Sequence, residues 1–453
     1  MGDPRQYVVI GGGLAGLASA VWLAEAGKKV TLLERRGRLG GRAHAMKVDA
    51  VDDPPDNGQH VIASGYENLF RYLDSVGTRE HVAFPERSTL RWPDGRSVTM
   101  SVTGLGAIRT LTGLHPDTGL LDRLRTLRAT GLLLWQALNQ PHDLADLTTA
   151  QWFERIGMPA RSREALWDWL ALGIAAEPVE IESAKVFADV LATGFRLGAK
   201  HLTPVSIGYP TTDLDTLYVD GALRVFRERG VDVRYRAVAR RIHIVDGKVT
   251  GVAMADGSTV PADAVICAVP NTNIGGLLDD LPEHSEIYAA ADKLHYTPIV
   301  STNLYLDRPL GTATEFEALI GGTGVIDEVF DRQLMTGRST EKAWLYCLTT
   351  SGAYEQITKT NAEIVAEQMA LLRRYYPAAA QAEVIQGHVV RMPKATFSQT
   401  VGTHDLRPPQ RTSVPSLVLA GDWTATDWSA TMESAVQSAA KAVELLLAQP
   451  AGR

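Results

Sequence analysis

The sequence predicts an α/β protein in which a doubly wound parallel sheet is interrupted by an inserted α+β domain. Three observations carry this prediction. A strand, a glycine turn, a helix and a second strand follow one another within the first 34 residues. Short valine-rich strands recur between Gly230 and Pro270, and a buried strand followed by a long helix closes the chain after Leu417. Strands alternating with helices in this way build a parallel sheet covered on both faces. With 453 residues the chain is long enough for two or more domains. The expected division gives 1–85, 215–275 and 410–453 to the doubly wound domain, and 86–214 and 276–409 to the insert.

The first strand is the β-branched run Tyr7-Val8-Val9-Ile10. It enters Gly11-Gly12-Gly13-Leu14-Ala15-Gly16, a Gly-x-Gly-x-x-Gly that opens a helix through Leu23. Gly11 permits the tight turn, Gly13 admits a pyrophosphate to the backbone, and Gly16 lets the helix pack closely on the strand. The helix N-terminus, at Leu14 and Ala15, offers N–H groups and a partial positive charge to phosphate. A second strand, Lys29 to Leu33, ends in Glu34, 18 residues beyond Gly16. A carboxylate there accepts the hydroxyls of an adenosine ribose. Strand, turn, helix, strand and acid in this order make a Rossmann-like dinucleotide site, a stronger signal than the glycine pattern alone.

Bulk properties exclude other classes. The composition, 45% hydrophobic and 21% charged, is that of a soluble globular protein. A net charge of -7 gives no basic face for nucleic acid. Cys267 and Cys347 have neither metal nor redox spacing, which points to a reduced, cytoplasmic setting without a disulfide framework. The histidines show no metal-ligand spacing, and no metal is expected. The charge-free segment from Tyr7 to Ala24 has the length of a membrane span, but its glycine turn makes it a buried strand and helix. Any membrane contact is therefore expected to be peripheral, at the inner face.

Beyond Glu34 the chain reads Arg35-Arg36-Gly37-Arg38-Leu39-Gly40-Gly41-Arg42. This Glu-x5-Gly-Gly-Arg spacing resembles the extended fingerprint of the flavin-containing amine oxidase and phytoene desaturase superfamily. The resemblance implies FAD, with Gly40, Gly41 and Arg42 lying along the pyrophosphate toward the isoalloxazine and Arg35 nearby. Two glycines allow close backbone approach, and a guanidinium offsets phosphate charge. In the middle segment, strands lead through Gly230–Val238 and Ile242, with a turn at Asp256-Gly257 and a further strand from Ala264. The resemblance puts the backbone of Val238 at the adenine edge. Near the C-terminus, Leu417 to Trp423 is a buried strand ending in Gly421 and Asp422, and a helix begins around Ala430. There the resemblance gives Asp422 to the ribitol chain, and the helix start at Thr431 and Met432 to the pyrimidine side of the flavin.

Within that superfamily the chain most resembles the hydroxysqualene dehydroxylase family. The residues that carry this are Asp56-Asn57-Gly58-Gln59-His60 with Tyr66, and Ala420-Gly421-Asp422-Trp423-Thr424. Amine-oxidising members carry a lysine near the flavin on a strand that here reads Pro298 to Pro309 and contains no lysine. The resemblance implies a polyisoprenoid substrate, an electron donor of unassigned identity, and loss of an allylic hydroxyl from hydroxysqualene to give squalene, a step of hopanoid synthesis. His60 and Asp56 are the candidate proton donors, since histidine titrates near neutrality and a buried carboxyl has a raised pKa. Equally, Asp56, Asn57, Gly58, Gln59 and His60 hold backbone and cofactor in place. Glu433 reads as a helix-start or flavin-network residue.

Leucines at 120, 121, 124 and 127 interleave with Arg123, Arg125 and Arg128, and a leucine-rich run to Leu138 contains Trp135. Residues 117–139 therefore read either as an amphipathic helix docking on an anionic membrane or as a helix packed on the substrate domain. The Trp167 and Trp169 pair suits core or cavity lining alike. Two other functions stay open beside the dehydroxylase. One is an oxidative carotenoid or polyene desaturase; the other is a non-catalytic flavin- or lipid-binding protein.

Overall fold

Strands at both ends and in the middle of the chain assemble into one five-stranded parallel sheet. The computed structural model describes residues 5–46, 55–101, 119–201, 206–322, 324–337 and 343–449. The sheet runs in the order Leu417–Leu419, Ala264–Cys267, Gln6–Ile10, Lys29–Leu33, Asp232–Arg234. Its pairings are parallel throughout, with Val8 opposite Val265 on one side and Thr31 on the other. Both faces are covered, so Val8, Val9, Val265 and Val418 all lie in the core.

The helix Leu14–Glu25 is buried along nearly its whole length and packs on the C-terminal helix Met432–Leu447. That burial explains the charge-free stretch from Tyr7 to Ala24: it serves a two-sided core. No helix among the described residues is long and apolar enough to cross a membrane.

The middle strands differ from the expectation. The run from Gly230 to Val238 pairs only over Asp232–Arg234. Arg236 adopts a left-handed φ of 54°, and the chain turns back so that Ala237 N donates to Glu34 O. Ala239–Val245 and Lys248–Met254 then form an antiparallel pair over the core.

A seven-stranded sheet forms the second layer system. The long strand Tyr296–Leu306 lies second from one edge, between Val384–Phe397 and Trp344–Thr350. Period-two alternation divides this strand. Leu304 and Leu306 enter the core under the helix Asn361–Tyr375, while Ser301, Asn303 and Tyr305 face the opposite way. Arg91 and Glu317 meet within this sheet as a buried bidentate pair, at 2.7 and 3.2 Å, with the Tyr376 hydroxyl on the same carboxylate.

A helical layer, from Leu120–Asn139 to Ala184–His201, buries Trp152, Phe153, Trp167 and Phe187. The tryptophan pair is thus divided. Trp167 is core, whereas Trp169 lies against Phe316 of the sheet and lines a cleft of about 310 Å³ with Trp92, Leu172 and Ile320.

Candidate functional site

The N-terminal loop is built around contacts only glycine permits. Gly11 has a φ of 107°, and a Cβ on Gly16 would lie 1.8 Å from Gly11 O. Gly40 N donates to Gly12 O, and a Cβ on Gly41 would meet Gly13 Cα at 3.0 Å. The segment Gly40–Arg42 is therefore laid directly over the turn. The helix beginning at Leu14 has no side-chain cap and no acid in its first turn, so the N–H groups of its first turn, including those of Leu14 and Ala15, have no side-chain partner. That donor set fits a pyrophosphate. Glu34 stands beside it, accepting Gly12 N and Arg36 N at 2.7 Å each. Arg35 is exposed, and Val238 O accepts Ala255 N just past the strand Lys248–Met254.

The C-terminal half of the site is tied to this loop through Arg42. Its guanidinium donates to Asp422 Oδ1 at 2.6 Å and to Ala395 O at 3.1 Å. The sequence assigned that charge to phosphate, and the fold also uses it to join two segments 380 residues apart. Gly421 N donates to Ser438 Oγ, and Thr431 caps the C-terminal helix by accepting Ser434 N, so the helix starts at Met432 and not at Ala430. Arg407 had no signal in the sequence. It is buried and donates to Asp422 O, Trp428 O, Thr426 Oγ1 and Ser434 Oγ, which holds the loop from Asp422 to Thr431 in shape.

The segment Asp56–His60 lies between the two sheets. Asn57 Nδ2 donates to Arg42 O, and Asn57 Oδ1 accepts His44 N. Gly58 faces Ser301, whose Oγ would be 2.8 Å from an added Cβ. Asp56 Oδ1 accepts Leu214 N, while Asp56 Oδ2, Gln59 Nε2, His60 Nδ1 and His44 Nδ1 are buried without a partner in the structure. Tyr218, which neighbours Asp56, donates to Met432 Sδ and connects this cluster to the start of the C-terminal helix. Such a concentration of orphaned polar atoms suits a polar heterocycle seated among them. No cluster of metal-ligating side chains occurs among the described residues.

Burial separates the two candidate proton donors. It pushes the Asp56 carboxyl up to about 7, against the Leu214 hydrogen bond. It pushes His60 down to about 4, with His44 adding to the effect. At neutral pH the His60 ring is therefore neutral, and the Asp56 carboxyl is near its midpoint, able to give a proton and to take one back. Glu433 has a different task. Its carboxylate accepts Asn68 N, Asn68 Nδ2 and Leu69 N, clamping the start of the helix Glu67–Val76.

These shifts give a pH dependence of stability. Burial raises Asp56, Asp327 and Glu433 to about 7 and Glu328 to about 8. Each binds its proton more tightly folded than unfolded, so its contribution falls as pH rises from about 4 to its folded pKa. His44 and His60, at about 4, act oppositely, but only up to their ordinary value of 6.5. Between pH 6.5 and pH 8 the carboxyls alone act. The holoprotein is expected to lose about 1 kcal/mol per raised carboxyl across that interval. A melting temperature that stays flat or climbs there, followed by calorimetry, would contradict the assignment.

Known proteins bear on this geometry. The model of the family "Flavin containing amine oxidoreductase" matches residues 14–447. The chain is 27% identical to hydroxysqualene dehydroxylase of Zymomonas mobilis, with 97% of this chain and 98% of that protein covered. It is 26% identical to 15-cis-phytoene desaturase of Arabidopsis thaliana, with 96% and 78% covered. Among solved structures, putrescine oxidase bound to putrescine aligns with a TM-score of 0.73 at 18% identity, covering 98% of this chain and 99% of that one. An oxidoreductase from Methanosarcina mazei aligns with a TM-score of 0.75, also at 18% identity, over 97% of this chain and 100% of that one. Those two likenesses bear on the fold. A dinucleotide cradle joined to a flavin-family match over nearly the whole chain leads to one conclusion: the chain belongs to the flavin-containing amine oxidoreductase family and is an FAD-dependent oxidoreductase.

Proposed function

We propose that the enzyme reductively removes the allylic hydroxyl of hydroxysqualene, giving squalene and water. The observation that carries this reading is Asp56, a buried carboxyl that holds its proton near neutral pH and has an unpartnered Oδ2. A departing hydroxyl needs such an acid. The end-to-end match to a hydroxysqualene dehydroxylase supports it.

Leu14, Ala15 and the glycines at 11, 13, 16, 40 and 41 would hold the FAD pyrophosphate, with Arg42 offsetting its charge. Glu34 would take the adenosine ribose, Val238 the adenine edge, and Asp422 the ribitol. Asn57, Gly58 and Gln59 would border the isoalloxazine, with Thr431 and Met432 at its pyrimidine side. When bound and reduced, FAD supplies the hydride. Asp56 gives its proton to the hydroxyl oxygen, the C–O bond breaks, and water leaves as a C–H bond forms at the same carbon. The segments 86–214 and 276–409 are proposed as the substrate domain, whose cleft beside Trp169, Leu172 and Ile320 receives the polyisoprenoid and keeps water away.

The phytoene desaturase relative supports a second reading, in which oxidised flavin removes hydrogen from a polyene. One experiment separates the two. Reduced holoenzyme with hydroxysqualene should yield squalene by gas chromatography. No squalene, together with phytoene oxidation by the oxidised enzyme, transfers the proposal to the desaturase.

The same lipid chemistry bears on the helix Leu120–Asn139. Its small residues Ala129, Thr130 and Ala137 face inward, while Leu120 and Trp135 are 75% and 51% exposed. Leu121, Leu124 and Leu127 are exposed with Arg125 and Arg128 on the same outward side. We read this face as a peripheral contact with anionic lipid; residues 117 and 118 of the segment lie outside the described residues. The protein should sediment with vesicles containing phosphatidylglycerol, and Leu124→Glu with Trp135→Glu should reduce binding about tenfold. Equal binding by the double variant would remove this face from consideration.

A further inference from the structure

The helix Asp168–Ala175 ends at Ala176, a non-glycine residue held at a left-handed φ of 57°. A backbone placed there against its preference is strained and is kept only where the surroundings enforce it. Here it brings the next residue, Glu177, fully into the interior at 0% exposure.

Glu177 Oε1 accepts the Thr297 hydroxyl and, at 2.7 Å, the Tyr354 hydroxyl. Its Oε2 is buried and has no hydrogen-bond partner in the structure. One oxygen of the carboxyl is therefore fixed by two donors, and the other is held in place with its lone pairs unused. Beside it, Glu182 is pushed well above the carboxylate range by burial, with Glu177 adding to the shift.

Two sets of hydrogen bonds tie the surroundings of Glu177 to the helix start proposed for the pyrimidine side of the flavin. Gln399 spans the gap in one, donating to Ala175 O and accepting Ala430 N, and Ser429 Oγ donates to Ile174 O. In the other, Thr297 pairs with Thr396, whose hydroxyl donates to Ala430 O. Both converge on the residues just before Thr431 and Met432. The other end of the same short helix carries Trp169 and Leu172 into the cleft. A helix of eight residues is about 12 Å long. The cleft residues and Glu177 thus lie toward opposite ends of this helix.

We propose that Glu177 is the specificity-determining residue of this site, its Oε2 accepting the hydrogen bond of the substrate's hydroxyl and so selecting an isoprenoid alcohol over a hydrocarbon. This rests on the dehydroxylase reading and adds the group that recognises the oxygen. The physical ground is the price of an unpaired acceptor. A hydrocarbon leaves Oε2 buried without a partner, whereas an alcohol satisfies it. Sites built around a substrate hydroxyl reject analogues that lack it far more strongly than apolar pockets reject a change of one methylene.

Titration of the oxidised holoenzyme with hydroxysqualene and with squalene, followed by the flavin difference spectrum, tests this. Wild type should bind the alcohol at least about tenfold more tightly. Glu177→Met should bring the two ligands to near parity. Glu177→Gln keeps an acceptor for Thr297 and Tyr354 and guards against misfolding; it should reduce the preference at least about threefold with FAD content and melting temperature unchanged. Wild type that converts hydroxysqualene while folded variants keep its preference sinks this proposal alone. Wild type that neither binds nor converts hydroxysqualene sinks the dehydroxylase reading as well.

Discussion

Gly16→Ala should purify without flavin or fail to fold. The added Cβ would lie 1.8 Å from Gly11 O and 3.5 Å from a methyl of Val9. Backbone cannot yield as a flexible side chain can, so helix and turn must separate. Overlap of this kind belongs with the largest single-residue effects, on the order of 4 kcal/mol or more. The damage falls at the helix N-terminus proposed to hold the pyrophosphate. FAD affinity should drop by about three orders of magnitude. The ratio of flavin to protein absorbance after gel filtration reads this directly. Gly27→Ala serves as the control: Gly27 also has a positive φ, of 72°, but nothing lies within 4 Å of its added Cβ. Flavin retained in full by Gly16→Ala would overturn the account of the cradle.

Asp56→Asn should retain FAD and lower turnover of hydroxysqualene by about 10²–10⁴-fold, the usual contribution of a positioned general acid. The substitution keeps an oxygen for Leu214 N, so the local fold survives. It removes the proton that burial maintains on the carboxyl up to about pH 7. The sign follows from the required form: the acid must be protonated, so wild-type turnover should fall as pH rises through about 7. The variant should lose that descending limb. His60→Gln should slow turnover far less, because a ring with a pKa near 4 is neutral throughout this range. Full turnover by Asp56→Asn, or a collapse confined to His60→Gln, would reverse the assignment.

The glycine turn was legible because it does its work within a few residues of itself; Glu34 and Asp422 act across 22 and 380 residues and were picked out by spacing and by resemblance. A strand, a tight turn and a helix N-terminus must come from consecutive residues, so their requirements appear as spacing. The fold class followed from the same local patterns, and the five parallel strands run in an order consistent with them. Arg407 gave no such signal. Its acceptors come from a loop that returns to it 15 or more residues later. Glu177 depends on Thr297 and Tyr354, 120 and 177 residues away. Trp167 and Trp169 are two residues apart, yet one enters the helical core and the other the cleft. Residues two apart on a helix point to nearly opposite sides, and which side faces core and which faces cleft is set by the packing of distant segments.

What the sequence determined by itself was a dinucleotide site and the α/β frame, since both rest on short-range backbone geometry, while the choice of FAD came from resemblance. Tertiary structure alone decided which side chain of the Asp56–His60 segment keeps a proton. Protonation depends on desolvation and on neighbours from distant segments: Leu214 for Asp56, His44 for His60. Residue types and spacings encode neither. Both groups are buried, and the same burial favours the neutral form of each, which leaves a proton on the carboxyl and none to give on the imidazole.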